Sequence, residues 1–142
     1  PTRRSSDLNK ITSKYGKDLN GKVFGVWGLA FKPKTDDMRE APSITIIESL
    51  LKMGAKIKAY DPKAMDLAYK IFGDKIEYVS NSYEALNNAD ALLLLTEWNE
   101  FRRPDMEKVK QLLKKPVIFD GRNQFNKDRL TQSGFEYVCV GK

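Results

Sequence analysis

Short apolar runs alternate with amphipathic segments from Lys22 to Val140, and this alternation constrains the fold more than any other feature of the chain. Lys22–Trp27, Lys56–Tyr60, Glu77–Val79, Ala91–Thr96, Val117–Asp120 and Phe135–Val140 read as strands. The first and fourth are apolar throughout most of their length, as strands buried on both faces of a parallel sheet are. Between the strands, Pro42–Met53, Met65–Phe72, Tyr83–Leu86, Asp105–Leu113 and Lys127–Gln132 read as helices. In the first of these, Ile44, Ile47, Leu50 and Leu51 recur at helical spacing, Pro42 suits a first helical position and Gly54 marks the stop. Asn9–Asn20 is polar and lysine-rich and reads as the tail of a preceding helix followed by a connector. The pattern predicts an α/β, Rossmann-like, three-layer parallel sheet with helices on both faces and right-handed crossovers. Its 142 residues suit one domain, and 41% hydrophobic content supplies a real core.

In such a sheet, ligands meet the C-terminal ends of the strands. The first strand leads into Gly28-Leu-Ala-Phe-Lys-Pro-Lys-Thr-Asp-Asp-Met-Arg-Glu-Ala-Pro-Ser43, which crowds Lys32, Lys34 and Arg39 just before a helix N-terminus. Pro33 holds Lys32 extended and delays the helix to about Pro42. Free N–H groups and the helix dipole then add to the cations, a combination suited to a pyrophosphate. A solvated loop in which the lysines and Asp36 and Asp37 neutralise one another is the alternative. Two further constellations follow strands: Thr96-Glu-Trp-Asn-Glu-Phe101 and Asp120-Gly-Arg-Asn123. Arg122 offers a forked donor for phosphate or vicinal hydroxyls; its alternative is a surface pair with Asp120. Trp98 and Phe101 read as packing residues rather than a base-stacking platform.

The dinucleotide fingerprint G-x-G-x-x-G is absent from the first strand-helix turn, where Gly25 and Gly28 are followed by Leu-Ala-Phe-Lys. Asp61 lies 33 residues beyond Gly28 and precedes Pro62, so it reads as a turn residue rather than the ribose-binding acid.

A net charge of +6 arises from 25 basic and 19 acidic residues interspersed without a one-face stripe, which argues against nucleic acid and favours anionic metabolites. The longest purely apolar run, Ala91–Leu95, is far short of a bilayer span, so no membrane association is expected. The one cysteine, Cys139, sits in Tyr-Val-Cys-Val and reads as a buried strand thiol in a reducing, cytoplasmic protein. With no histidine in the chain it has no basic partner to make it a nucleophile, and no metal is expected. Pro1–Leu8 reads as the translation of a common sequencing-adapter end, which makes Asn9 the first native residue and implies missing upstream protein. Removing Arg3, Arg4 and Asp7 from the 25 basic and 19 acidic residues leaves the net charge at +5.

Five separated motifs, in order, carry a resemblance: Gly-Leu-Ala-Phe-Lys-x-x-Thr-Asp-Asp-x-Arg-x-x-Pro-Ser, Tyr60-Asp-Pro62, Leu95-Thr-Glu-Trp98, Phe119-Asp-Gly-Arg-Asn123 and Gly134-Phe…Val140-Gly141. Together they resemble the C-terminal UDP-binding domain of UDP-glucose 6-dehydrogenases, in the UDP-glucose/GDP-mannose dehydrogenase family, over Lys22–Lys142. The resemblance implies that residues 21–142 form a nucleotide-sugar-binding domain of an enzyme oxidising UDP-glucose to UDP-glucuronate in two steps. The cofactor it implies is NAD, bound mainly by an N-terminal domain, with a nucleophilic cysteine on a central region. It further implies Phe31, Lys32 and Arg122 as substrate contacts, Arg39 as a residue reaching NAD, and Asp36 and Asp37 as residues orienting the loop. Partners would be the remaining domains of the parent chain, in a homo-oligomer. No residue here matches the catalytic cysteine, so the isolated chain is expected to be inactive. The same domain of a GDP-mannose or UDP-N-acetylmannosamine dehydrogenase, or a stand-alone nucleotide-sugar-binding module, remains the alternative.

Overall fold

Successive strand residues point to opposite faces of a sheet, and here both faces are covered, so two separate cores form. The structure, a computed structural model, describes residues 3–30, 32, 34–39 and 41–139, with the side chains of residues 3–6 aside. Six strands, β1 (Val23–Trp27), β2 (Lys56–Tyr60), β3 (Glu77–Tyr78), β4 (Ala91–Leu94), β5 (Val117–Asp120) and β6 (Glu136–Cys139), form one sheet in the order β3-β2-β1-β4-β5-β6. All neighbouring pairs are parallel. The helices are α1 (Arg3–Tyr15), α2 (Pro42–Lys52), α3 (Met65–Phe72), α4 (Met106–Leu112) and α5 (Lys127–Gln132). Phe24, Val26, Leu93 and Phe119 face one core with Ile11 of α1, Ile46 of α2 and Ala68 of α3. Trp27, Leu92, Leu94 and Ile118 face the other, with Val109 of α4 and Leu130 of α5. The expected α/β, Rossmann-like fold is thus present.

Strands β2 and β5, helices α3 and α5 and the Tyr83–Leu86 segment match their predicted bounds, and the other elements shift at their ends. Asp105, expected inside α4, is its N-cap and accepts from the Lys108 N–H at 3.2 Å. Strand β4 stops at Leu94, two residues short of Thr96, whose hydroxyl donates to the Ala30 carbonyl at 2.8 Å. Tyr83–Leu86 winds as a 3₁₀ turn. At the N-terminal end, the helix expected before the connector is α1, which runs unbroken across the Leu8–Asn9 boundary to Tyr15. Leu8, Ile11 and Tyr15, spaced by three and four residues, carry it onto the α2 side of the sheet.

Tyr15 lies edge-on to Phe24 at 5.7 Å and near Phe119 at 6.1 Å. Burial, then the charges of Asp90 and Glu136, push its phenol up to about 12. The unfolded chain ionises a tyrosine near pH 10 and the folded one resists, so this residue's contribution is full below pH 10 and is lost as pH rises from 10 to 12. Tyr15→Phe is expected to flatten the decline in unfolding free energy across that window, read by urea denaturation at stepped pH. An unchanged slope would remove Tyr15 as its source.

Candidate functional site

The strand order reverses between β1 and β4, so the loops leaving their C-terminal ends flank the crevice where open parallel sheets bind ligands. Gly28 makes the close approach that this crevice needs. Its φ is +97°, and a Cβ there would stand 2.5 Å from Thr96 Cβ and 2.6 Å from Thr96 N. Gly25 has a packing role instead, because a Cβ would meet the Ala85 carbonyl oxygen at 2.4 Å.

Side chains then secure Leu29 and Ala30 completely. Their N–H groups donate to one oxygen of Asp61 at 2.7 and 3.1 Å. Their carbonyls accept from the Ser43 hydroxyl at 2.6 Å and the Thr96 hydroxyl at 2.8 Å. The other Asp61 oxygen accepts from Lys63 and Ala64 N–H, both at 2.8 Å, as expected of an Asp-Pro turn. Its reach back to Leu29 and Ala30 was not legible in the sequence.

Beside this crevice, a cleft of about 680 Å³ is lined by Lys34, Glu97, Trp98, Arg102, Arg122 and Gln124, among others. Arg122 comes from the β5–α5 loop, which Asp120 organises from within. Asp120 is 1% exposed. One of its oxygens accepts the Arg122 N–H at 2.9 Å; the other accepts the Phe125 N–H at 2.9 Å and the Tyr137 hydroxyl at 2.6 Å. Burial and that bond drive the Tyr137 phenol well above its usual value. With Asp120 so engaged, the expected alternative of an Arg122–Asp120 side-chain pair is replaced by another. The Arg122 guanidinium forks onto Glu97, with Nε on one carboxylate oxygen and Nη2 on the other at 2.9 Å. Glu97 holds the guanidinium above even its usual pKa.

Of the other predicted site residues, Lys32 and Arg39 do not line this cleft. Arg39 is 90% exposed in its side chain and forks onto Asp37 at 3.1 and 3.0 Å, bordering a groove of about 720 Å³ with Met38, Ile44 and Ile71. That fork and the Arg39 N–H hold the Asp37 carboxyl below the usual range, with a smaller pull from Lys32. Lys32 is exposed, and Phe31 lies outside the described residues, as do Val140 and Gly141 of the last motif. Lys34, not Lys32, lines the cleft with Arg122, from a left-handed backbone at φ +67°. Glu97 was within a quoted motif, yet nothing local marks it as the partner of a residue 25 positions away. Trp98 and Phe101 are buried as expected, and Phe101 stacks on Trp27 at 5.0 Å. Cys139 is free and buried, 3% exposed, on β6.

Residues 25–127 match the UDP-glucose/GDP-mannose dehydrogenase family, UDP binding domain. The chain belongs to this family. Its relatives include a UDP-glucose 6-dehydrogenase of Rhizobium meliloti, 40% identical over 99% of this chain and 32% of its own length. Another is a UDP-glucose 6-dehydrogenase of Bacillus subtilis, 44% identical over 95% of this chain and 29% of its own length. This UDP-binding domain thus spans about a third of the length of the curated relatives it matches. Among solved structures, a UDP-glucose dehydrogenase from the hyperthermophilic archaeon Pyrobaculum islandicum superposes with a TM-score of 0.77 at 30% identity, covering 98% of this chain and 29% of that one. Among the described residues, no helix is long and apolar enough to cross a membrane, and no three His, Cys, Asp or Glu side chains group to hold a metal ion.

Proposed function

We propose that this UDP-binding domain is the nucleotide-sugar-holding part of an NAD-dependent UDP-glucose 6-dehydrogenase, and that the diphosphate of UDP-glucose docks in the Arg122 cleft. The observation that carries the reading is the placement of a guanidinium fork and Lys34 together beside the switch-point crevice. A fork matches two phosphate oxygens at once, and Lys34 adds a point charge for a third. In the free domain, Glu97 occupies the fork, so the ligand's phosphate replaces a carboxylate rather than entering bare solvent. The sequence identity of 40% and 44% to UDP-glucose 6-dehydrogenases favours UDP-glucose over the other nucleotide sugars of the family.

Oxidation of the sugar to UDP-glucuronate belongs, in this reading, to other domains of a longer, oligomeric, cytoplasmic parent. Cys139 is sealed in the core and supplies no nucleophile. The turn after β1 does not fit a dinucleotide as its main site, since the N–H groups of Gly28, Leu29 and Ala30 are already bonded. Isothermal titration of the 142-residue chain is expected to show binding of UDP and UDP-glucose, and at least tenfold weaker binding of GDP-mannose. Mixing the chain with UDP-glucose and NAD is expected to yield no NADH. Preference for GDP-mannose would move the reading to another branch of the family, and NADH formation would overturn the assignment to a binding domain.

A further inference from the structure

An open sheet of this order commonly holds a ligand's phosphate on the backbone N–H groups of the turn after β1. In this domain that turn is chemically full. The Gly28 N–H donates to the Tyr60 carbonyl at 2.9 Å, and the Leu29 and Ala30 N–H groups converge on a single oxygen of Asp61. Asp61 is 1% exposed, and among the described residues no lysine or arginine pairs with it. Four backbone N–H groups therefore meet the whole negative charge of this carboxylate, two on each oxygen. That is the hydrogen-bonding pattern a backbone phosphate cradle presents to its ligand.

We infer that Asp61 stands in for a ligand phosphate. It is a positioning residue that closes the β1 turn to dinucleotides and anchors the start of the loop from which Lys34 reaches the Arg122 cleft. The second half of this statement rests on the cleft being the UDP site. Two physical consequences follow. A second anion brought against a buried, unpaired carboxylate is repelled in a medium of low dielectric, so pyrophosphate cannot share the turn. With both carbonyls of Leu29 and Ala30 also held, by Ser43 and Thr96, the loop leaves the sheet from a fixed point. Charge selection then passes from backbone to side chains, which differs from the glycine cradle that the same fold uses for dinucleotides.

The test is amide NMR of the labelled 142-residue chain, titrated separately with inorganic pyrophosphate, NAD and UDP. The amides of Leu29, Ala30, Lys63 and Ala64 are expected to exchange slowly and to stay unmoved by pyrophosphate and NAD. UDP is expected to move amides of residues 97–99 and 121–124 instead. Saturable shifts at Leu29 and Ala30 with pyrophosphate or NAD would overturn the inference on the wild-type chain alone. As a second arm, Asp61→Asn sets an amide NH₂ against a pair of N–H donors and is expected to weaken UDP binding by about tenfold or more. In Asp61→Gly, added formate is expected to restore slow exchange at Leu29 and Ala30 and to recover UDP affinity. A folded Asp61→Asn chain with wild-type affinity, or a folded Asp61→Gly chain indifferent to formate, would overturn it too. Failure of the wild-type chain to bind UDP defeats the functional reading instead, while the pyrophosphate, NAD and formate arms still decide the role of Asp61 in its own turn.

Discussion

Arg122→Ala is expected to weaken UDP binding to this domain by about tenfold to a hundredfold, the range for losing hydrogen bonds to a charged group. Two effects add in the same direction. The variant removes the fork that receives the phosphate, and it takes away the guanidinium charge that offsets the Glu97 carboxylate beside an anionic ligand. The fold should be indifferent, because the backbone N–H of residue 122 keeps its bond to Asp120, and the lost ion pair is about one third exposed on both sides. Pairs of that kind contribute about 0 to 1 kcal/mol. Arg122→Lys is expected to recover only part of the affinity, since an ammonium cannot match two oxygens in a plane. Glu97→Gln should act oppositely and tighten binding, because it removes the carboxylate that competes for the fork. Lys34→Ala should cost more affinity than Lys32→Ala, as Lys34 lines the cleft and Lys32 acts on Asp37. Isothermal titration reads all five variants. Wild-type affinity in Arg122→Ala would take the ligand out of this cleft.

The second large effect concerns stability. Gly28→Ala is expected to cost about 3 to 5 kcal/mol, from left-handed backbone strain plus overpacking. The new methyl would fall 2.5 Å from Thr96 Cβ and 2.6 Å from Thr96 N, so the loop after β1 and the loop after β4 must separate. Separation breaks the Thr96–Ala30 bond that ties them. Gly16→Ala is the matched control. Its φ of +82° imposes similar strain, yet nothing lies within 4 Å of the added atom, so about 1 to 2 kcal/mol is expected. Urea unfolding of the two variants therefore isolates the close approach. Equal losses would mean that the contact with Thr96 relaxes at no cost.

Much of this architecture was legible because it is written in local periodicity. Val117–Asp120 and Lys127–Gln132 could be delimited from runs of four and six residues, with a turn or a cap on either side. Local signals failed where a neighbour in space decides. Thr96 extends an apolar run, yet it lies past the end of β4, where its hydroxyl donates to the Ala30 carbonyl.

The candidate site divides in the same way. Sequence by itself determined the fold class, the concentration of cations after β1, the forked donor at Arg122 and the absence of a dinucleotide fingerprint, since each follows from residue types in consecutive positions. Tertiary structure alone decided the strand order, the choice of Lys34 as the cleft lysine, the Glu97 partner of Arg122 and the sealing of the β1 turn by Asp61. The physical reason is separation along the chain. The deciding contacts join residues 25, 31 and 66 positions apart, and at that distance only the packing of the sheet brings a carboxylate or hydroxyl to a particular N–H, carbonyl or guanidinium.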